Sequence, residues 1–393
     1  MKARDCLEVL ASYGVPPDGR TALRTSVGLD DLLQRFANET LPFLTEGGCE
    51  IRFVEAPYGR GKSHVLRALE AVAQDHGFVT SYVDCHSQSK PFGSFADTYR
   101  QISRRLSVPG RTEDQEAGSG IGNLITAVME SGSYEARNAR ILAVRNDLWL
   151  CREMRNLVLG YAGAPSSDGS VFGLRGQLLE ILLGRMPAGL TISALVKSNP
   201  RLPRPLGRLG RRNAGSWLRS LCSLPKAMGF PGFVLLFDET EQSLSIGGLG
   251  LGARMQHFAN LRNLADYIAL GGVRGCAICY AVVEDFLPMA HKVLGALAQR
   301  IERLAIEYQG RKLPNPRAIW TTLDELTNPA PGEVLFYERL LERLLDLGSE
   351  AGVSDDDLDL VRSLCQDLAK RYANRIDPGA VRSFVKEVAG LIR

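Results

Sequence analysis

The stretch Ala56-Pro57-Tyr58-Gly59-Arg60-Gly61-Lys62-Ser63 constrains this chain more than any other. It fits the phosphate-loop pattern G-x-x-x-x-G-K-[ST], with Ala56 standing where the first glycine is usual. In such a loop the backbone N–H groups turn inward toward phosphate oxygens, and the following helix adds its positive N-terminal end. The flanks agree with this reading. Residues 49–55 have the pattern of a short buried strand, and residues 62–74 have helical periodicity with Leu66, Leu69 and Val72 on one face. A second strand at 78–84 completes the strand-helix-strand rhythm of a parallel sheet. Ala56 to His64 are thereby expected to hold ATP, with Lys62 reaching its β and γ phosphates and Ser63 binding Mg2+ through its hydroxyl. His64 closes that stretch, and for catalysis it reads, with Cys85 and His86, as local structure.

A second motif supports the first. Phe233-Val234-Leu235-Leu236-Phe237 is an apolar run ending in Asp238-Glu239. A buried central strand tolerates charge only at its carboxyl end, where an open α/β sheet meets its ligand crevice. This is the form of a Walker B strand, in which Asp238 would serve the metal and Glu239 would orient and deprotonate an attacking water. Glu241 is close enough to assist or simply to be solvated.

The remainder sets limits. Lys plus Arg (47) nearly balance Asp plus Glu (44), so the net charge of +3 indicates no polyanionic partner by itself. The longest apolar runs are strand-sized, short of the roughly 20 residues that span a bilayer, and the first residues lack the apolar core of a signal peptide; a cytoplasmic location is expected. The eight cysteines are scattered and read as reduced thiols. Cys276 and Cys279 lie in one strand-like run whose alternation sends them to opposite faces, as core residues and not as a zinc knuckle.

Along the chain, residues 1–45 read as an N-terminal helical module, with helices at 3–13 and 29–44 separated by the breaker Gly14-Val15-Pro16-Pro17. Residues 46–310 read as an α/β P-loop core with a parallel sheet of about five strands, at 49–55, 78–84, 232–237, 274–283 and 303–308, and a large helical insertion at about 98–228. Residues 311–393 read as a separate, all-helical lid, with helices at 317–326, 334–347, 355–372 and 379–392.

Taken with Leu10-Ala11-Ser12-Tyr13-Gly14-Val15-Pro16-Pro17, Ser26-Val27-Gly28 and Gly229-Phe230-Pro231-Gly232 before the second motif, these segments make the chain resemble AAA-type ATPases, and more closely the BREX-system ATP-binding proteins of the BrxD type. The resemblance implies an ATPase of bacterial anti-phage defence, working as an oligomer alongside other defence-system proteins and acting on DNA. It also implies that Arg300, in Ala298-Gln299-Arg300-Ile301, is an arginine finger aimed at a neighbour's γ-phosphate, and that Arg382, in Asp377-Pro378-Gly379-Ala380-Val381-Arg382, is the second sensor arginine of the lid. Tyr280-Ala281-Val282-Val283 departs from the family pattern by lacking the Thr or Asn of a first sensor.

No acidic residue occurs between Ile181 and Phe237. The prolines in 197–212 disfavour a regular helix, so Lys197, Arg201, Arg204, Arg208, Arg211 and Arg212 read as an exposed basic segment. Either it binds a nucleic-acid backbone with steep salt dependence, or it is a solvated face that docks on acidic segments such as Asp355-Asp356-Asp357 or on another subunit. Two functions therefore stay open: an ATP hydrolase coupling nucleotide state to DNA or partner rearrangement, and a nucleotide-gated DNA-binding scaffold or loader with very slow turnover. A small-molecule kinase fits the Asp238-Glu239 pair and the helical C-terminus less well.

Overall fold

The structure is a computed structural model that describes the chain apart from residues 1, 86–90, 111–119, 166–172, 241–250, 302–305, 309–310, 314–319, 324–326, 329–332, 376 and 378. Glu241 and His86 lie outside the described residues.

The apolar runs become strands β1 (Cys49–Glu55), β2 (Val79–Asp84), β3 (Leu106–Ser107), β4 (Phe233–Asp238) and β5 (Cys276–Val282), followed by the short β6 (Ile306–Tyr308), β7 (Arg311–Leu313) and β8 (Trp320–Thr322). Six of them form one sheet in the order β3-β2-β4-β5-β1-β8. All neighbours in it are parallel except β3, which runs antiparallel to β2. The expectation of five parallel strands needs correcting. β3 is a sixth, antiparallel edge strand, and the 303–308 candidate contributes only β6, which pairs with β7 outside the main sheet. The fifth parallel strand is β8, in a segment read as helical. Two- and three-residue strands are too short to show a period of two. Tertiary contacts hold β8 in place: Trp320 stacks on Phe53 at 5.6 Å and donates its indole N–H to Glu55.

Alternation along the strands sorts the core into two layers. Phe233, Leu235 and Phe237 of β4, with Ile278 and Tyr280 of β5, face helices from the stretch between β2 and β4 and the helices Leu251–Ala269 and Phe286–Ile301. Val234 and Leu236, with Ala277, Cys279 and Ala281, face the helix Lys62–Asp75 and the N-terminal helical stretch. The small side chains of β5 on this second face let that helix pack close to the sheet centre. Cys276 and Cys279 fall on opposite faces, both buried and free.

The three C-terminal helices, Val334–Glu350, Asp355–Ala373 and Ala380–Ile392, share a third apolar cluster built around Tyr337, Leu344, Tyr372 and Phe384. The first helix of the chain, Ala3–Tyr13, joins the same cluster through Cys6, Leu7 and Leu10. Asp355, Asp356 and Asp357 occupy the first turn of the middle helix, where Ser354 caps the N–H of Asp357. That position suits carboxylates, because it faces the positive end of the helix dipole.

Candidate functional site

The site begins where β1 ends. The Ala56 N–H bonds to the Val282 carbonyl at 3.1 Å, so the loop leaves the sheet beside the end of β5. Gly59 (φ 75°) and Gly61 (φ 98°) then turn the chain through left-handed backbone, and Gly61 opens the helix Lys62–Asp75. A side chain at Gly61 would be strained by that φ. Ala56 occupies the first-glycine position without cost to the loop's shape, because its methyl group is buried in the apolar cluster under the helix.

Lys62 is buried and folds back over its own loop. Its Nζ donates to the Ala56 carbonyl (2.9 Å) and the Pro57 carbonyl (3.1 Å) and lies 5.1 Å from the Tyr58 ring centroid. These acceptors keep a buried ammonium satisfied. Across the cavity, Asp238 ends β4 with both carboxylate oxygens engaged. Its Oδ1 accepts from the Glu239 N–H at 2.9 Å, and its Oδ2 accepts from the Tyr82 hydroxyl. Glu239 has φ 49°, the sole positive φ outside glycine among the described residues. Backbone of that kind costs on the order of 1–3 kcal/mol and concentrates at functional sites. Thr240 pins the turn by donating its hydroxyl to the Ala281 carbonyl at the end of β5.

Lys62, Asp238 and Glu239 line one cavity of about 280 Å³. Tyr58, Gly59, Arg60, Gly61, Lys62, Ser63 and His64 form its polar wall together with Asp238 and Glu239, and Arg382 closes it from the first turn of the last helix. Ala56 and Pro57 take part through their carbonyls on Lys62 and do not line it. Arg300 is absent from this wall. It is exposed on the helix Phe286–Ile301 and pairs with Asp266 at 3.2 Å. The cavity's other half is apolar, with Val15, Val27, Leu29, Phe336, Leu340 and Val385 contributed by the two ends of the chain.

That apolar half is absent from the motif-based reading, although Gly14-Val15-Pro16-Pro17 carried a signal. Gly14 caps the first helix with φ 65°, and a Cβ there would sit 2.6 Å from the Arg382 carbonyl oxygen. The breaker therefore does more than end a helix: it brings the chain's start against the turn that carries Arg382. His64 ties the loop helix to the same region. Its Nε2 lies 3.0 Å from Ser26 Oγ, whose own proton goes to the Ala22 carbonyl at 2.7 Å, so the imidazole is the donor to Ser26. Burial pushes the His64 pKa down to about 4, leaving the ring neutral at pH 7.

The chemistry of this wall suits a polyphosphate with a hard cation. Three cationic side chains, Arg60, Lys62 and Arg382, and a helix N-terminus face two carboxylates and the hydroxyls of Tyr58 and Ser63. Ser63 and Asp238 are oxygen donors of the kind Mg2+ takes. That ion is commonly held by one or two carboxylates plus substrate phosphates, and not by an all-protein cage. Among the described residues, no group of three or more His, Cys, Asp or Glu is arranged to hold a metal.

Comparison with known families decides the identity. The family described as BREX system ATP-binding protein BrxC/D matches residues 1–141 and 206–392. The chain belongs to that family. Membership in the BrxC/D family gives it ATP as ligand and a place in a BREX defence system. No curated protein and no solved structure matches it. Among the described residues, no helix is long and apolar enough to cross a membrane.

A second surface of this BrxC/D protein lies between β3 and β4. After the helix Ile192–Ser198, residues 199–213 run as a non-helical strap to the helix Ala214–Ala227. Leu202 and Leu209 anchor the strap against Gly160 and Gly184, and Asn213 fastens its end, accepting from the Gly210 N–H (2.8 Å) and donating to the Arg208 carbonyl (2.9 Å). Lys197, Arg201, Arg204, Arg208, Arg211 and Arg212 are all exposed, and none forms an ion pair among the described residues, with Asp355–Asp357 or any other carboxylate. Lys197, Arg201 and Arg204 fall in the stretch the family match omits, whereas Arg208, Arg211 and Arg212 fall inside it.

Proposed function

We propose that this BrxC/D protein is an AAA-type P-loop ATP hydrolase that couples its nucleotide state to rearrangement of DNA or of partner proteins, as a homo-oligomer in the cytoplasm. The observation that carries the reading is the convergence of Lys62, Ser63, Asp238, Glu239 and Arg382 on one cavity. The phosphates lie along Tyr58 to Ser63, with Lys62 released from the Ala56 and Pro57 carbonyls to the β and γ phosphates. The base and sugar take the apolar half between Val15, Val27 and Phe336. Ser63 and Asp238 would hold Mg2+, which would supply neutralisation of phosphate charge.

In hydrolysis, Glu239 accepts a proton from water as its oxygen bonds to the γ-phosphorus. The bond from that phosphorus to the β–γ bridging oxygen breaks, leaving ADP and inorganic phosphate. Arg382 reports the γ-phosphate to the three C-terminal helices, which act as a lid because their apolar cluster also lines the cavity. Arg300 serves a neighbouring subunit's site, a role for which its exposure on a helix outside its own cavity is suitable. The basic strap supplies the DNA contact.

The deciding experiment is steady-state ATP hydrolysis by wild type and Glu239→Gln, with and without duplex DNA. Turnover that depends on Glu239 and rises with DNA supports the reading; turnover unaffected by Glu239→Gln removes that residue from its role. One observation favours a second reading, a nucleotide-gated scaffold with very slow turnover: no side chain of β5 lines the cavity, so no first-sensor group meets the γ-phosphate from that strand. Tight ATP binding with negligible turnover under every condition would select it.

A further inference from the structure

Asp238 does not meet the cavity alone. Its Oδ2 takes the hydroxyl proton of Tyr82 from the neighbouring strand β2, while the Glu239 N–H fixes Oδ1, so the carboxylate plane is set by two donors of different origin. The Tyr82 ring is covered in turn by the Arg67 guanidinium, 3.5 Å from the ring centroid. Arg67 stands on the helix that begins at Lys62, one turn after Ser63 at i,i+4 spacing, and is therefore on the same helical face. Arg67 is itself oriented by Glu70 at 2.8 Å, and Glu70 accepts from Thr80 of β2 at 3.4 Å. Gln74 completes the clamp by donating to Thr80 and to Ser107 of β3, each at 3.0 Å.

We propose that Tyr82 is a positioning residue for the cation site, holding Asp238 at the distance from Ser63 that a hydrated Mg2+ on the nucleotide requires, with Arg67 fixing the Tyr82 ring. This rests on the nucleotide reading above and deepens it. The two protein oxygens that serve the ion come from different elements, a helix start and a strand end. Without a tie they would vary independently; the route from Ser63 through the helix to Arg67, Tyr82 and Asp238 makes their separation a property of one packed unit. Outer groups that orient metal ligands commonly affect metal affinity by about 10- to 100-fold when removed.

The test is equilibrium binding of adenosine 5′-(γ-thio)triphosphate to the full chain, once in EDTA and then across a Mg2+ titration. Tyr82→Phe keeps the ring under Arg67 and removes only the hydroxyl. It is expected to bind as wild type does in EDTA, and to need about tenfold more Mg2+ to reach the tight-binding state. Arg67→Gln is expected to move the Mg2+ midpoint in the same direction by less, and serves if Tyr82→Phe does not fold. A purely structural role would lower the melting temperature and leave the Mg2+ midpoint in place. Superimposable Mg2+ titrations for wild type and the folded variant overturn the proposal while leaving the nucleotide site intact. A wild type that binds nucleotide equally with and without Mg2+, or not at all, overturns the metal reading and this inference with it.

Discussion

The cavity and the strap both concentrate charge, and they handle it in opposite ways. In the cavity, Lys62 leans on two carbonyls and Asp238 on a tyrosine hydroxyl and a backbone N–H, both side chains being buried. On the strap and the helix end before it the six cations are exposed with no carboxylate partner among the described residues, and the fixed parts are the leucines and the asparagine of the strap. Buried charge must be paired, so its geometry is specific and intolerant of change. Exposed charge of one sign needs no geometry and acts through its summed field. The cavity is therefore suited to one small ligand held atom by atom, and the strap to an extended polyanion whose exact register is unimportant.

Breaking the cavity should have the largest effects. Glu239→Gln is expected to lower kcat by about 10²–10⁴-fold, the usual range for loss of a general base, with ATP affinity retained. Single-turnover hydrolysis alongside nucleotide binding checks this, and a kcat within threefold of wild type would contradict it. Lys62→Ala removes charge-assisted contacts worth roughly 1.5–3 kcal/mol each. With two phosphates contacted, ATP should bind about 10²–10⁴-fold more weakly by titration calorimetry. DNA retention by the strap should be unchanged in this variant when no nucleotide is present; a parallel loss of DNA binding would show that the two regions are one site.

The two regions also differ in what could be read beforehand. The loop and β4 were legible because phosphate binding and burial each impose a local pattern: glycines where φ is positive, and an uninterrupted apolar run ending in carboxylates. The strap was legible from the absence of acids and from its prolines. Tyr82 was not, since alternation in β2 says that a residue is near the interior but not that its hydroxyl meets a carboxylate on the next strand. Nor were β3 and β8, whose two or three residues acquire their conformation from Ser107 against Gln74 and Trp320 against Phe53. The apolar half of the cavity was hidden for a related reason. It assembles residues from both ends of the chain, and the contact between Gly14 and Arg382 that joins them has no local signature.

Acidity separates the regions next. His64 beside the cavity and His257 beneath the sheet both have pKa values lowered by burial, from 6.5 to about 4. Each ring is neutral in the folded chain and free to take a proton in the unfolded one. Between pH 6.5 and 4 the unfolded state binds more protons, so stability falls as pH falls, by up to roughly 3 kcal/mol per histidine across that window. Above pH 6.5 neither contributes a slope. Denaturant unfolding of wild type and His257→Gln, compared at pH 7 and pH 5, reads this out: a folded variant should lose less stability on acidification. The strap contains no histidine, so affinity for DNA measured where the fold is intact should show no matching change.

The smallest effect sharpens the comparison most, because it tests whether the strap acts through a field. If Arg208 neutralises one phosphate, Arg208→Ala should weaken duplex binding only a few-fold at moderate salt, equally on unrelated sequences. It should also reduce the slope of log affinity against log salt by about 1. Arg211→Ala should act in the same way, and the two losses should add, since neither side chain has an ion-pair partner among the described residues whose release would couple them. Basal ATP hydrolysis without DNA should be that of wild type in both variants. A loss confined to one DNA sequence would mean direct base contact. An unchanged slope in both variants would instead make the strap a protein-docking face, and its five arginines would then call for an acidic partner surface in place of a phosphate backbone.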